Sequence, residues 1–362
     1  MKSVKITEVR NYSDFLALED FWKDLLKYSS HTIFSTWEWI STWWKYFGKE
    51  NNLKILLAMD KEQLVGIAPL MVSQHQFLFN FNKIREIEFI GRGNADYNTF
   101  IFKSGMNKIP NFFINHLLGV SDWDIITLLD MSEEGSSADF LQSINNKFPN
   151  FKLNISNFCP YIDLPSSLPS YTMSLSRNLR KNLKKRMKRL ESQYKVEFKT
   201  QHDFASVRDA MEIYFNLHDK RWQSKKGQSI SLSKINRDFH LELAKTFDEK
   251  KWLALYFLTV DDEPIAAVYS FDYDLKKYGY NTGFDPEFSK YGIGSLLKTY
   301  AIKESIKKGF REYDLLRGNE PYKTNWATGV RKNYVAKMAK KSWRGSLLLQ
   351  INKVKQNFRS NG

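Results

Sequence analysis

The sequence predicts a mixed α/β protein built as two domains of similar kind. Its 362 residues suit two domains of ordinary size. Hydrophobic residues make up 42% and aromatics 15%, enough to fill cores rather than leave a disordered chain. A third observation is an internal echo of a hairpin. Leu53-Lys-Ile-Leu-Leu-Ala-Met and Leu64-Val-Gly-Ile-Ala-Pro-Leu-Met-Val flank an acidic turn at Asp60. Trp252-Leu-Ala-Leu-Tyr-Phe-Leu-Thr-Val and Ile265-Ala-Ala-Val-Tyr-Ser-Phe flank another at Asp261. Leu56 falls on Tyr256, Leu57 on Phe257, Glu62 on Asp262, Val65 on Ile265 and Gly66 on Ala266. Chance or repetition can produce so few matches, but the shared order of elements suggests one α/β unit used twice.

In chain order, Val4 to Val9 reads as a strand and Tyr12 to Tyr28 as an amphipathic helix. The aromatic run Thr36-Trp-Glu-Trp-Ile-Ser-Thr-Trp-Trp-Lys-Tyr-Phe is a helix that Gly48 stops. In the first hairpin, Pro69 marks a bulge or an edge in the second strand. Ile84-Arg-Glu-Ile-Glu-Phe-Ile and Trp123-Asp-Ile-Ile-Thr-Leu-Leu are further strands. Tyr161-Ile-Asp-Leu-Pro-Ser-Ser-Leu-Pro-Ser holds two of the nine prolines and reads as a boundary, placing domains at 1–165 and 166–362. Beyond it come a basic helix from Leu175 to Tyr194 and a helix around Phe204 to Gln223. The second hairpin, a strand at Lys277-Tyr-Gly-Tyr-Asn and a helix from Leu296 to Lys308 follow.

A formal net charge of +15 attracts polyanions: nucleic acid, anionic lipid, or a phosphate-rich cosubstrate such as coenzyme A. No run of eighteen uncharged apolar residues is present, and Met1-Lys-Ser-Val-Lys-Ile lacks the apolar core of a secretory signal. One cysteine, Cys159, excludes an intrachain disulfide and suits a reducing compartment. These features lead us to expect a cytoplasmic protein, with a peripheral place at the inner membrane surface as the variant. Six histidines show no His-x-x-x-His, and there is no Cys-x-x-Cys, so no structural metal is expected.

The stretch Gly283-Phe-Asp-Pro-Glu-Phe-Ser-Lys-Tyr-Gly-Ile-Gly-Ser-Leu-Leu runs from a strand into a helix. A helix start leaves backbone N–H groups unpaired, and its macrodipole adds the equivalent of about half a positive charge. Gly292 and Gly294 tolerate positive φ and let a diphosphate approach the main chain, so the turn is an anion site or an ordinary glycine turn.

Other motifs decide between those readings. They are Leu175-Ser-Arg-Asn-Leu-Arg-Lys-Asn-Leu-Lys-Lys, Leu217-His-Asp-Lys-Arg-Trp, the hairpin at Asp261, Gly283-Phe-Asp-Pro, Gly292-Ile-Gly-Ser-Leu-Leu and Tyr313-Asp-Leu-Leu-Arg-Gly-Asn-Glu-Pro-Tyr-Lys-Thr-Asn-Trp. In this order they resemble the GNAT acyltransferases. The likeness is to the tandem-domain branch of cellulose-biosynthesis-associated acetyltransferases and, more distantly, to the Fem aminoacyl-tRNA-dependent ligases. Gly91-Arg-Gly-Asn-Ala-Asp-Tyr and the Trp37 helix fit the same family in the first half. The resemblance implies two tandem GNAT-like domains, each a mixed, mostly antiparallel sheet flanked by helices. The first is degenerate and forms the acceptor side; the second holds the thioester. Acyl-CoA, most simply acetyl-CoA, is implied as cosubstrate, with no tightly bound cofactor.

The family's pyrophosphate loop corresponds to Tyr291, Gly292, Ile293, Gly294, Ser295 and Leu296. GNAT enzymes usually carry Arg or Gln where Ser289 stands here, and Lys290 places a positive charge beside it. His218 is a candidate general base, or a packing histidine. Arg221 shares its helix face and binds an acidic substrate group or pairs with a carboxylate. Glu320, Tyr322 and Lys323 occupy a loop past a strand end, where α/β domains place working residues. Glu320 would accept a proton, Tyr322 would donate one to the leaving thiolate and Lys323 would bind phosphate; alternatively the loop is a capped turn. Asp96 and Tyr97 shape an acceptor pocket or form an Asx turn.

The basic helix carries an apolar stripe of Leu175, Leu179, Leu183, Met187 and Leu190 among eight cations. It is a solvated face, or an anion-binding flank for CoA phosphate, tRNA or membrane. Ser342 to Phe358 is also basic and amphipathic, and docks on the domain or on a membrane surface. The leading expectation is transfer of an acyl group to an amine or hydroxyl of a sugar, polysaccharide precursor or related envelope acceptor. A Fem-like ligase using aminoacyl-tRNA and a non-catalytic scaffold for an anionic polymer or membrane are the alternatives.

Overall fold

The computed structural model describes residues 4–77, 82–223, 233–318 and 320–340; the expected amphipathic segment Ser342 to Phe358 lies outside them. The chain forms two compact units, residues 1–158 with 331–362 and residues 159–330.

In the first unit, β1 (Val4–Val9) leads to α1 (Tyr12–Leu16) and α2 (Glu19–Leu26). The helix expected over Tyr12 to Tyr28 is thus broken at Ala17 and Leu18. Next is α3 (Trp37–Phe47), capped by Thr36, whose hydroxyl accepts the Trp39 N–H at 3.3 Å. Gly48 ends it; a Cβ there would lie 2.6 Å from the Trp44 ring. Two short strands, β2 (Asn52–Leu53) and β3 (Ile55–Asp60), precede β4 (Gln63–Ala68) and β5 (Leu70–Phe77). Pro69 separates the last two. It marks more than a bulge, because β4 pairs with β3 and β7 (Ile101–Phe102) while β5 pairs with β2 and β6 (Asn82–Phe89). Helix α4 (Ile109–Gly119) then connects β6 to its parallel neighbour β8 (Ile125–Ser132). Leu56, Phe89, Phe100, Phe113, Ile126 and Phe140 fill the core between these layers, Phe140 coming from α5 (Ser136–Lys147).

Strand β9 (Lys152–Asp163) carries the chain into the second unit at Cys159. There α6 (Leu168–Ser174) precedes α7 (Arg177–Glu191), the expected basic helix, capped by Ser176. Next come β10 (Val196–Thr200), α8 (Val207–Gln223), α9 (Lys234–Glu249) and the antiparallel ladder β11 (Leu253–Val260), β12 (Glu263–Tyr273) and β13 (Lys276–Phe284). Helix α10 (Ile293–Lys307) returns the chain to β14 (Glu312–Asp314), parallel to β13 and antiparallel to 161–163 of β9. A short α11 (Pro321–Thr324) precedes β15 (Gly329–Ala339), whose residues from Asn333 on pair with β8 in the first unit. A strand, a helix and a parallel strand therefore recur as β6–α4–β8 and β13–α10–β14.

Side-chain alternation along the second sheet separates two layers. Ala254, Tyr256 and Leu258 pack with α7 and α10 through Leu183, Leu190 and Leu297. Gly283 faces α8, where a Cβ would lie 2.5 Å from the backbone nitrogen of His218. Backbone cannot yield as a side-chain tip does. Gly283→Ala should therefore lower stability by about 1–3 kcal/mol, read as a drop in urea midpoint with unchanged slope.

Candidate functional site

Strands β13 and β14 stay together only from Lys276↔Glu312 to Tyr278↔Asp314. Beyond that register β13 runs six residues further, while β14 stops because the Asp314 carboxylate takes the Leu316 N–H at 2.7 Å and Leu316 turns to φ +55°. The main-chain groups of β13 on that side have no strand partner among the described residues. One of them, the Thr282 carbonyl, accepts from Arg221 Nη1 at 2.6 Å.

At its far end β13 passes Asp285, which caps the following turn and pairs with Lys220 at 2.6 Å. The turn closes on Gly292 at φ +63°, ψ +39°, a conformation glycine adopts without penalty, and α10 begins. Gly292 N–H bonds the Ser289 carbonyl at 2.9 Å, and Ser295 and Leu296 bond the Gly292 carbonyl. The N–H groups of Ile293 and Gly294 have no partner among the described residues. The space beside Gly294 is open, since an added Cβ would meet only Phe284, at 4.0 Å. Arg186 of α7 lies over the turn; a Cβ on Gly292 would sit 2.6 Å from its Nη1. That guanidinium has no ion pair among the described residues. A cation and two free amides thus converge at a helix start, a cradle for a diphosphate.

Of the expected loop residues, Tyr291, Ile293 and Leu296 are buried and contribute backbone only. Tyr291 donates to Gln193, and its ring carries Arg189 at 5.3 Å and Lys290 at 5.1 Å. Ser295 is half-buried at the helix start.

A second group gathers around Lys298 on α10. Its side chain is buried, and its pKa falls to about 7, first through burial and then through the charges of Lys323 and Arg221; Glu320 opposes the shift. Three expected residues, Arg221, Glu320 and Lys323, are therefore brought together around a fourth the sequence did not single out. Lys323 Nζ donates to the carbonyls of Leu316 at 3.3 Å and Arg317 at 2.6 Å, and meets Glu320 at 3.2 Å. It staples the turn after β14. The side chain of Tyr322 lies outside the described residues.

His218 is buried on α8, where its Nε2 accepts from Trp222 Nε1 at 3.0 Å and Asn281 bonds the ring. Burial pushes its pKa down to about 4, so the imidazole is neutral at pH 7 with the Nε2 lone pair engaged. Asp96 and Tyr97 belong to the first unit, and both are buried. The Asp96 carbonyl accepts from Asn333 at 2.7 Å, and the Tyr97 ring packs 6.1 Å from Phe34. His75, Glu86 and Glu88 also converge there, with ligand atoms within 4.8 Å, a grouping no sequence spacing indicated. Arg92 already pairs with Glu88, and Thr127 donates to Glu86.

Residues 177–324 match the family model described as an acetyltransferase (GNAT) domain. Among solved structures, FemX shares the fold with a TM-score of 0.67 at 10% identity, over 96% of this chain and 99% of that one. A conserved protein of unknown function from Bacteroides thetaiotaomicron gives 0.58 at 10% identity, over 92% and 100%. L-PGS from Bacillus licheniformis gives 0.53 at 11%, over 91% and 95%. No curated protein matches the chain by sequence. Among the described residues, no helix is long and apolar enough to cross a membrane.

Lys298 also makes a stability prediction. Its folded pKa of about 7 lies below the ordinary 10.5, so between those values the unfolded chain binds more protons and stability rises with pH. Lys298→Met should therefore be more stable than the parent at pH 6, by on the order of a few kcal/mol. The gap should narrow toward pH 10 in parallel denaturant melts.

Proposed function

Starting from the GNAT acyltransferase domain carried by residues 177–324, we propose that this protein transfers an acyl group from acyl-CoA. The donor is in the simplest case acetyl-CoA, and the acceptor an amine or hydroxyl of a sugar, polysaccharide precursor or related envelope molecule. One observation carries the reading: the free N–H groups of Ile293 and Gly294 beneath the Arg186 guanidinium. They fit the diphosphate of coenzyme A, and Arg186 supplies from another helix the charge absent at Ser289.

From that anchor the thioester arm follows the unpaired edge of β13 toward Arg221 and Lys298. The acceptor attacks the thioester carbonyl, and the cationic group stabilises the oxyanion that forms. We assign proton removal to Lys298 rather than His218. An amine with a pKa near 7 is deprotonated enough to act, whereas the His218 lone pair is held by Trp222. The carbon–sulfur bond then breaks, and the Lys298 ammonium gives its proton to the departing thiolate. Lys323 and Glu320 hold the turn after β14, and the acceptor's proton ends on coenzyme A.

Calorimetric titration should show saturable acetyl-CoA binding that Gly294→Trp abolishes and Arg186→Gln weakens roughly tenfold or more; no binding by acetyl-CoA or longer acyl-CoAs overturns the reading. The rate of thiol release should rise with pH through about 7 and then level, because the unprotonated Lys298 is the active form. Lys298→Met should lose about 10²–10⁴-fold in kcat, and no inflection should follow His218. A rate flat from pH 6 to 9 would remove Lys298 from the base role.

The fold shared with FemX over 96% of the chain, together with the cations of α7, supports a second reading with aminoacyl-tRNA as donor. Gel shift with charged tRNA decides it, and absence of retardation at low salt eliminates it.

A further inference from the structure

Against α7 the second unit holds a half-open pocket of about 610 Å³, in the size range of small-molecule sites. Its walls are apolar: Leu183 and Met187 from α7, Phe198 from β10, Leu296 and Tyr300 from α10. Phe198 and Tyr300 stack at 4.2 Å with rings 3° apart, forming one flat surface. On α10 the lining residues Leu296, Thr299, Tyr300 and Lys303 recur at helical spacing. Lys298 stands about 200° around the helix from Leu296. The chamber is therefore distinct from the proposed transfer site.

Its charged rim shows what it would hold. Arg180, Lys184, Lys188 and Lys303 line it with exposed side chains, and none has an ion pair among the described residues; Glu191 is the single acidic lining residue. The chain's own segment 342–358 is a poor occupant, for it carries Arg344, Lys353 and Lys355 with no acidic residue and would meet like charge.

We propose that this chamber binds a single-chain anionic amphiphile. Its alkyl tail lies against Leu183, Met187 and Phe198, and its negative charge faces the four cations. A free fatty acid and a lysophospholipid share this chemistry.

The test titrates the full chain with carboxylates of eight to sixteen carbons, below their micellar limits. Affinity should rise about fourfold per added methylene until the chamber is full. Alkyl trimethylammonium ions of equal length should bind at least tenfold more weakly. Thr299→Trp from α10 and Thr172→Trp from α6 should each abolish binding while melting and acetyl-CoA affinity stay unchanged. Laurate against lauroyl lysophosphatidylglycerol separates the free acid from a membrane-derived lipid. The proposal fails if the folded chain binds no carboxylate, if affinity ignores chain length, or if both filled variants bind as the parent does.

Discussion

The Asp314 carboxylate accepts the Leu316 N–H, and that bond sets where β14 ends. It holds Leu316 in a left-handed conformation that an unassisted leucine avoids at a cost of roughly 1–2 kcal/mol. Lys323 offsets the cost by gripping the carbonyls of Leu316 and Arg317. With β14 stopped, the edge of β13 beyond Tyr278 has no neighbouring strand on that side among the described residues. A sheet edge left bare is ordinarily a hazard. Here it runs from the cationic group at Arg221 and Lys298 to the start of α10, and so links the two halves of the candidate site.

Electrostatics follow from the same geometry. Arg221, Lys298 and Lys323 crowd together where burial already disfavours charge on Lys298. Stability alone would select against that grouping, since removing ions from water is costly and like charges add to the cost. Such clusters persist where negative charge arrives from outside or develops during a reaction. Arg186 over Gly292 repeats the pattern at the surface, and the net charge of +15 widens it into a field over the molecule.

Glycine and proline made much of this fold legible. Gly292 and Gly294 stand where a helix start needs left-handed backbone or open space, and the turn sits where the motif placed it. The Trp37 helix and the basic helix were equally clear, because capping residues and apolar spacing agreed. Pro69 signalled an interruption, but a change of sheet is a long-range fact that one residue cannot encode. Lys298 stayed hidden because a lysine among apolar residues usually snorkels to water, and only tertiary packing closes the water off. Arg186 was one cation in a run of eight. Nor can a leucine stripe distinguish a filled interface from one that leaves a chamber beneath Leu183 and Met187.

The path of β15 has a consequence for synthesis. Strand β8 is complete at Ser132, yet its partner residues from Asn333 to Ala339 are made only after the whole second unit. At about 5–20 residues per second, the intervening 200 or so residues take roughly 10–40 s. The second unit can therefore fold on the ribosome while the first still lacks its closing strand. Over that interval the N-terminal unit is a nascent intermediate with an open template, and translational pausing before residue 331 would lengthen its exposure to neighbouring chains.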